Sequence, residues 1–449
     1  MIFPAIHQPA TSSAPTYRDL ASLDREFPYL EFDGLIFFYV YKSVLLCLND
    51  LSSTAVRLNL PFQERGHPIL TPKPGTNIGK TIMTTPSQEQ DTPKLYSPHG
   101  LTRWYIDTRD LTLRTSALPL LDTLQPSEQI SVQHFYHLAD RRMSLASNLL
   151  KYLFIHQTCR VPWDQIVISR TPAPHKRPCY IPVRRGDDDT EETTNIEFNV
   201  SHQASMVTLA GCILPSDAVI PGFSGPDVPN PGSHPNPNPD PSPTGQTSCT
   251  HQIGIDITCT DERERRNADS VPKREAELHD FIDVFQEVFS AREIADMKRP
   301  IHVSQTGVGV GQDNALTRSI RARLRRFYTY WALKEAYIKM TGEALLAPWL
   351  RDLEFLDVIA PEPPKGGENG FGEPYKGTRI LMHGKEVTDV RMEVVALGNG
   401  YLIATAARGK GVGKRKDGDE VDLWEPFREI DIERDIAPCA RGQCQCLAT

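Results

Sequence analysis

Phe198-Asn199-Val200-Ser201-His202-Gln203, followed downstream by Gly254-Ile255-Asp256 and then by Trp331-Ala332-Leu333-Lys334-Glu335-Ala336-Tyr337-Ile338-Lys339, are the stretches on which fold and chemistry turn. Asp256 closes an apolar run, Ile253 to Ile257, that reads as a strand, and a strand end facing a cleft is a usual place for a metal ligand. In the third stretch Trp331, Glu335 and Lys339 are four apart, so on a helix they share a face, with Lys334 beside them. That face offers a carboxylate flanked by two ammonium groups. A hard divalent cation such as Mg²⁺ takes one or two carboxylates together with phosphate oxygens and waters. Lysines neutralise the phosphate charge that remains, so the set reads as a magnesium–pyrophosphate site. Taken singly, each piece has a plainer reading. A Lys-Glu pair is usually a solvated helix face, an Asp after a strand a turn residue, and a lone His202 a packed loop residue.

Outward from these stretches, a helical period starts at Ser127 with Val132, Phe135 and Leu138, and a second helix is predicted from Asp140 to His156 with Leu145, Leu149 and Leu153 four apart. Strand-like runs follow at Ile166–Ile168, Ile196–Val200, Met206–Ala210 and Ile253–Ile257. The C-terminal half repeats the style, with helices over about Lys273–Phe289 and Thr317–Met340, then strands near Leu353–Val358, Arg379–His383, Val390–Leu397 and Tyr401–Ala406. Helices followed by hairpin-like strands, twice, predict an α+β fold of two similar pseudo-symmetric lobes, each a small mainly antiparallel sheet packed on helices. The expected division is an N-terminal lobe over 1–214, a proline-rich insertion over 215–250, a C-terminal lobe over 251–408 with a flexible insertion near 299–317, and a basic glycine-rich loop and tail over 409–449. Ten prolines from Pro215 to Pro243 exclude packed structure in the insertion. Residues 1 to about 125 carry apolar runs at 35–41 and 44–48 but no readable period. Gly307, Gly309 and Gly311 lack a following Lys-Ser/Thr and read as a linker. Arg318, Arg321, Arg323, Arg325 and Arg326 read as a solvated helix face or a dock for an acidic partner.

A length of 449 residues and a net charge of -8 argue for a multi-domain globular protein and against nucleic acid as a partner. No apolar run approaches the roughly 18 residues of a membrane span, and Met1-Ile2-Phe3-Pro4-Ala5 does not begin a secretory signal. Nine cysteines with no CxxC pair fit reduced thiols better than a disulfide scaffold, so the expectation is a cytoplasmic monomer. The tail Cys439…Cys444-Gln445-Cys446-Leu447-Ala448-Thr449 resembles a prenylation box only in outline, because threonine is a poor last residue and no polybasic segment precedes it. A disordered tail is expected.

In order and wording the three stretches resemble the 4'-phosphopantetheinyl transferases of the surfactin-synthetase-activating type, over about residues 125–405 outside the insertions. Weaker marks are Asp140-Arg141-Arg142 ahead of a leucine-rich helix, Lys176-Arg177-Pro178 before a strand, and Phe289-Ser290 followed by Glu293. The proline insertion and the long N-terminal region suggest a fungal-like member. The resemblance implies that coenzyme A binds between two α/β lobes. Its phosphopantetheine arm passes to a serine of an apo acyl or peptidyl carrier protein of fatty acid, polyketide, nonribosomal peptide or lysine biosynthesis, releasing 3',5'-ADP. The nucleophile then belongs to the partner, and the chain needs no Ser-His-Asp set of its own. By the same resemblance Asp256 and Glu335 hold Mg²⁺, and Glu335 also helps deprotonate the serine, directly or through water. Lys339 contacts the phosphates with Lys334 nearby. Ser201 and His202 bind the 3'-phosphate and adenosine end, with Arg142 and Arg177 as further phosphate contacts.

Three departures stand out. Thr258 occupies a position where many relatives carry a second acid. Gly342 is followed by Glu343-Ala344 rather than completing Gly-x-Gly, and Arg177 stands where lysine is more usual. Thr258 keeps open an alternative, a non-catalytic scaffold that binds coenzyme A or carrier proteins.

Overall fold

The computed structural model describes residues 100–447, apart from 115–116, 172–176, 181–193, 215–250, 267–270, 302–314, 344–346, 365–369, 410–411 and 413–421. The apolar runs at 35–41 and 44–48, the proline-rich insertion, the glycine run at 307–311, Lys176 and most of the 409–418 loop lie outside the described residues. The described residues fall within one compact unit, 88–449.

The first lobe runs β1 (Thr102–Asp107), α1 (Arg109–Arg114), α2 (Pro126–His134), α3 (Leu138–Cys159), β2 (Ile168–Arg170), β3 (Pro178–Tyr180), β4 (Ile196–Gln203) and β5 (Met206–Ile213). The second runs β6 (Gln252–Cys259), α4 (Glu262–Arg266), α5 (Glu275–Asp283), α6 (Ala291–Lys298), α7 (Ala315–Thr341), β7 (Leu353–Leu356), β8 (Arg379–Met382), β9 (Lys385–Glu386), β10 (Val390–Leu397) and β11 (Tyr401–Arg408). The chain then returns to the first lobe as β12 (Arg428–Glu429), a π-helical turn at Ile432–Ile436 and α8 (Ala437–Ala440). The main sheets have strand orders β12-β1-β5-β4 and β10-β11-β6. Every pairing is antiparallel except β1 with β12, where Trp104 faces Arg428. This is the two-lobe α+β fold, with α3 on the first sheet and α7 on the second.

Local chemistry explains the boundaries. The period Val132–Phe135–Leu138 spans two helices, because Phe135 takes an extended conformation (φ -62, ψ 138) and ends α2. α3 stops at Arg160, whose left-handed φ of 52 turns the chain. In β4 and β5 the alternation is tight enough that a two-residue turn joins them, with Ala204 and Ser205 both at positive φ (48 and 72), as primed hairpin turns demand.

Besides the short α1, α4, α6 and β9, the sequence reading missed β1 and the fold of the tail. β1 lies inside the first sheet, but its run Thr-Arg-Trp-Tyr-Ile-Asp mixes charge with aromatics. Arg103 is tolerated there, 5 % exposed, because Glu393 of β10 pairs with it at 3.0 Å and Phe427 stacks beneath its guanidinium. The tail, expected as irregular, is folded: Ile430, Ile432, Ile436 and Cys439 join the core of the first lobe.

At the arginine-rich start of α7 the reading as a solvated face holds for the exposed Arg321 but not for Arg323, Arg325 and Arg326. Arg323 is fully buried and bonded to Glu275 and the Lys298 carbonyl, while Arg325 holds the carbonyls of Pro361 and Asn399. These arginines stitch α7 to its own lobe. No helix among the described residues is long and apolar enough to cross a membrane.

Candidate active site

The two sheets meet where β4 lies beside β6, and the ladder across this seam is made of side chains. Glu197 accepts from the backbone N–H of Ile253, Ser201 Oγ from Ile257 N–H at 3.2 Å, and Gln203 Oε1 from Cys259 N–H at 3.2 Å. Every second residue of β4 faces the seam, the two-residue period of a strand. Phe198 and Val200, pointing the other way, pack into the core under α3. On β6 the isoleucines 253, 255 and 257 fill a core shared by the two lobes, with Met206 and Cys212 of β5 and Val395 and Ile403 of the second sheet, which leaves Gly254, Asp256 and Thr258 on the opposite face, against α7.

Gly254 sets how closely that helix approaches. A Cβ there would collide with the carbonyl oxygen of Ala336 and the backbone nitrogen of Met340, so only glycine allows the contact. The close approach delivers Lys339 to Asp256. Lys339 Nζ lies 2.8 Å from Asp256 Oδ1 and 2.8 Å from Ser201 Oγ. Ser201 donates to the same carboxylate oxygen at 3.1 Å, and Thr258 Oγ1 donates to Oδ2 at 2.7 Å. Asp256 is therefore a nearly buried carboxylate (2 % exposed) gripped on both oxygens. Glu335, one turn before Lys339 on α7, is a second buried carboxylate (3 % exposed). Lys339 keeps about a quarter of its side chain in solvent (26 %), so the cluster opens on its side.

A basic spot adjoins the seam. His202 is half-buried, and its Nδ1 meets no hydrogen-bond partner among the described residues. Burial, reinforced by Lys339 and Lys151, pushes the imidazole down to about 3, so it is neutral at physiological pH. Lys151 on α3 is itself pushed down to about 8 by burial, against the pull of Glu128. Asn199 Oδ1, at the seam position between Glu197 and Ser201, also lacks a partner among the described residues.

Two carboxylates, two ammonium groups and a neutral imidazole on facing elements suit a doubly charged phosphate ester with a hard cation. A family model for the 4'-phosphopantetheinyl transferase superfamily matches residues 252–404, and one for the N-terminal part of 4'-phosphopantetheinyl transferases matches residues 113–214. The chain is 50% identical over 376 residues to 4'-phosphopantetheinyl transferase NpgA of Emericella nidulans, covering 80% of this chain and 99% of the relative. It is 52% identical over 364 residues to 4'-phosphopantetheinyl transferase A of Aspergillus fumigatus, covering 77% and 96%. The chain belongs to the 4'-phosphopantetheinyl transferase family. It is also 23% identical over 286 residues to the L-aminoadipate-semialdehyde dehydrogenase-phosphopantetheinyl transferase of Rattus norvegicus, covering 64% of this chain and 67% of the relative.

In this phosphopantetheinyl transferase the structure brings Ser201, Asp256 and Lys339 into direct contact and sets Glu335 one turn away from Lys339. It does not bring Lys334 to them. The Lys334 ammonium is fully buried in the second lobe, 3.1 Å from Glu293 and bonded to the carbonyls of Leu350 and Leu353, between the rings of Phe289 and Phe355. Arg177 reaches the seam from its far end. Its Nη1 pairs with Glu197 at 2.5 Å and donates to the Met340 carbonyl at 3.0 Å, which fastens the last turn of α7 to β4. Even so, burial holds the Glu197 carboxyl up at about 7. Arg142 is buried near the start of α3. Gly342 supplies the left-handed residue (φ +79) that ends α7, so no second glycine is needed for the turn.

Sequence reasoning missed Lys151, Asn199 and the part played by Thr258. Asn199 was visible in the first stretch, by its two-residue spacing from Ser201. Lys151 sits inside an apolar helix period with no local mark of function.

Proposed function

We propose that this transferase is magnesium-dependent and works on coenzyme A at the β4–β6 seam, passing the phosphopantetheine arm to a serine of an apo acyl or peptidyl carrier protein and releasing 3',5'-ADP. The observation that carries the reading is the Asp256 carboxylate held by Ser201, Thr258 and Lys339, with Glu335 one turn from Lys339. The donor set fits a hard cation: only oxygen ligands, two buried carboxylates, and an ammonium that balances Asp256 when no other cation does. Asp256 and Glu335 would hold Mg²⁺, which when bound supplies charge neutralisation at the pyrophosphate oxygens.

The remaining work falls to this chain's own side chains. Ser201 and Thr258 fix the plane of the Asp256 carboxylate, so it needs no reorganisation when charge builds up. Lys339 has a mobile ammonium at the open side, able to move from Asp256 to a phosphate oxygen. His202, neutral and with a bare ring position, and Lys151 beside it provide a pocket for the 3'-phosphate, with Arg142 and Ser201 on the same elements. Glu335 would also help take the proton of the incoming serine, directly or through water. Lys334 and Arg177 are given positioning roles, holding α7 in place. Thr258, the residue behind the scaffold alternative, supports catalysis here by orienting Asp256.

The lobe division around 215–250 is proposed on the same footing, supported by family matches that end at 214 and resume at 252. A cytoplasmic monomer acting away from nucleic acid is proposed with the net charge of -8 as support. The decisive experiment incubates the protein with coenzyme A and an apo carrier, with and without Mg²⁺, and follows the carrier's mass. A pantetheinyl adduct that needs Mg²⁺ is expected, and equal conversion after complete removal of divalent ions would overturn the metal assignment.

A further inference from the structure

Outside the seam cluster, the end of α3 and the returning tail bring together four side chains that the proposed transfer reaction does not use. The Nε2 of His156 and the sulfurs of Cys439, Cys444 and Cys446 all lie within 4.8 Å of one another. His156 Nε2 is 3.1 Å from Cys444 Sγ, and Cys439 Sγ is 3.6 Å from Cys446 Sγ. A tetrahedral zinc with Zn–S of about 2.3 Å and Zn–N of about 2.0 Å requires its ligand atoms to be about 3.5–3.8 Å apart. The observed spacing brackets that value. We propose that His156, Cys439, Cys444 and Cys446 form a closed structural zinc site that clamps the C-terminal tail to the first lobe.

The surroundings are built for it. His156 Nδ1 lies 2.7 Å from the Val161 carbonyl, which can only accept, so Nδ1 carries the proton and Nε2 presents its lone pair to the sulfurs. That is the outer hydrogen bond that zinc-bound histidines commonly make. It arises because Arg160, in the left-handed conformation, turns the chain after α3 and brings Val161 back beside the last turns of the helix. On the other side, Gly442 (φ +67) and the bonds of Gln443 and Cys444 N–H to the Pro438 carbonyl fold the tail back, setting Cys444 and Cys446 against Cys439. His156 and Cys439 are buried, whereas Cys444 and Cys446 are half-buried.

Three sulfurs and one imidazole select zinc over magnesium or calcium, and four protein ligands leave no open position for catalysis. A disulfide accounts for the cluster less well. All three cysteines are free thiols, with Cys439 and Cys446 Sγ 3.6 Å apart, and pairing two of them would leave the third and the histidine without a role. The consequence is structural. The tail contributes a two-residue strand, β12, alongside β1, and a four-residue helix. Elements that short depend on tertiary contacts, and a metal joining residue 156 to residues 439–446 would add to the burial of Ile430, Ile432 and Ile436 in the first-lobe core.

The test is metal analysis of the full-length protein purified without chelators. The expectation is about one zinc per chain, retained in Asp256→Asn, which separates this site from the seam. Cys444→Ser/Cys446→Ser is expected to lose the zinc and to melt at lower temperature. Should that variant fail to fold, stripped wild-type protein is titrated with Co²⁺. A visible absorption band of tetrahedral thiolate–cobalt, abolished by added zinc, is the supporting result. Wild-type protein that carries no zinc and gives no cobalt band would overturn the proposal. So would a double variant that keeps the full zinc content, or a Cys439–Cys446 disulfide mapped in the native protein.

Discussion

Lys334 and Lys339 sit five residues apart on α7 and have opposite fates. At 3.6 residues per turn, five residues turn the side chain by about 140° around the helix axis. One lysine therefore faces its own lobe and the other faces the seam. Lys334 is fully buried, its charge consumed by Glu293 and two carbonyls. Burial pulls its pKa down, opposed by Glu293, and pushes that of Glu293 up, opposed by Lys334. Lys339, partly in solvent, holds a carboxylate and a serine that both belong to the site. The same residue type builds the fold on one face and, in the proposed mechanism, serves the chemistry on the other.

This contrast can be broken by substitution. Lys334→Met leaves Glu293 buried without its partner, and a loss of about 3–5 kcal/mol of stability is expected by denaturant titration. Part of it should return in Lys334→Met/Glu293→Gln, which removes the buried charge but whose single amide oxygen can accept from only one of the Ser290 and Phe355 N–H groups, since these bond to different oxygens of Glu293. Unimpaired stability in the single variant would erase the distinction between the two faces. Glu335→Gln should do the reverse, keeping the melting temperature and coenzyme A binding while turnover falls by about 10²–10³-fold, the scale of removing one preorganised charge contact. Near-normal turnover would mean that the seam is not the reacting centre.

Acid sensitivity sharpens the picture. The unfolded His202 binds a proton below about 6.5 and the folded one only near 3, so the unfolded state holds more protons between those values. Stability must then fall as pH drops through that window, by about 1.4 kcal/mol for each pH unit well below 6.5. His202→Gln should flatten that slope in melting curves recorded across the window. The smallest effect is expected from Thr258→Val, which removes one bond to Asp256 and should cost about 1 kcal/mol. Its turnover should drop further than its stability if the bond orients the carboxylate.

How much could be read beforehand varies with the range of the interactions. The helices α3 and α7 and the hairpin strands β4, β5, β10 and β11 were legible because one helix period or one alternation spans each of them. Asp256 on a strand and Glu335 and Lys339 on one helix could be placed beforehand because each motif keeps its spacing within a single element. β1 was hidden because Arg103 is neutralised by Glu393, 290 residues away. Lys334 and Arg177 look like phosphate ligands in sequence, yet their partners come from the β7 region, α6, β4 and the end of α7. The cysteines of the tail carry no metal spacing among themselves, and their fourth partner lies on α3.

The sequence by itself determined the two-lobe class, the order of the strands' hairpins, the transferase family and the elements that carry the proposed acids. These depend on periodicity and on short motifs, which local backbone geometry enforces. Only the tertiary structure decided which lysine serves the fold and which the seam, what Thr258 does, and why the tail is ordered. For the lysines and the tail the partners lie far along the chain, in Glu293, Ser201, Asp256 and the first-lobe core, and for Thr258 the strand's burial against α7 turns its hydroxyl onto Asp256.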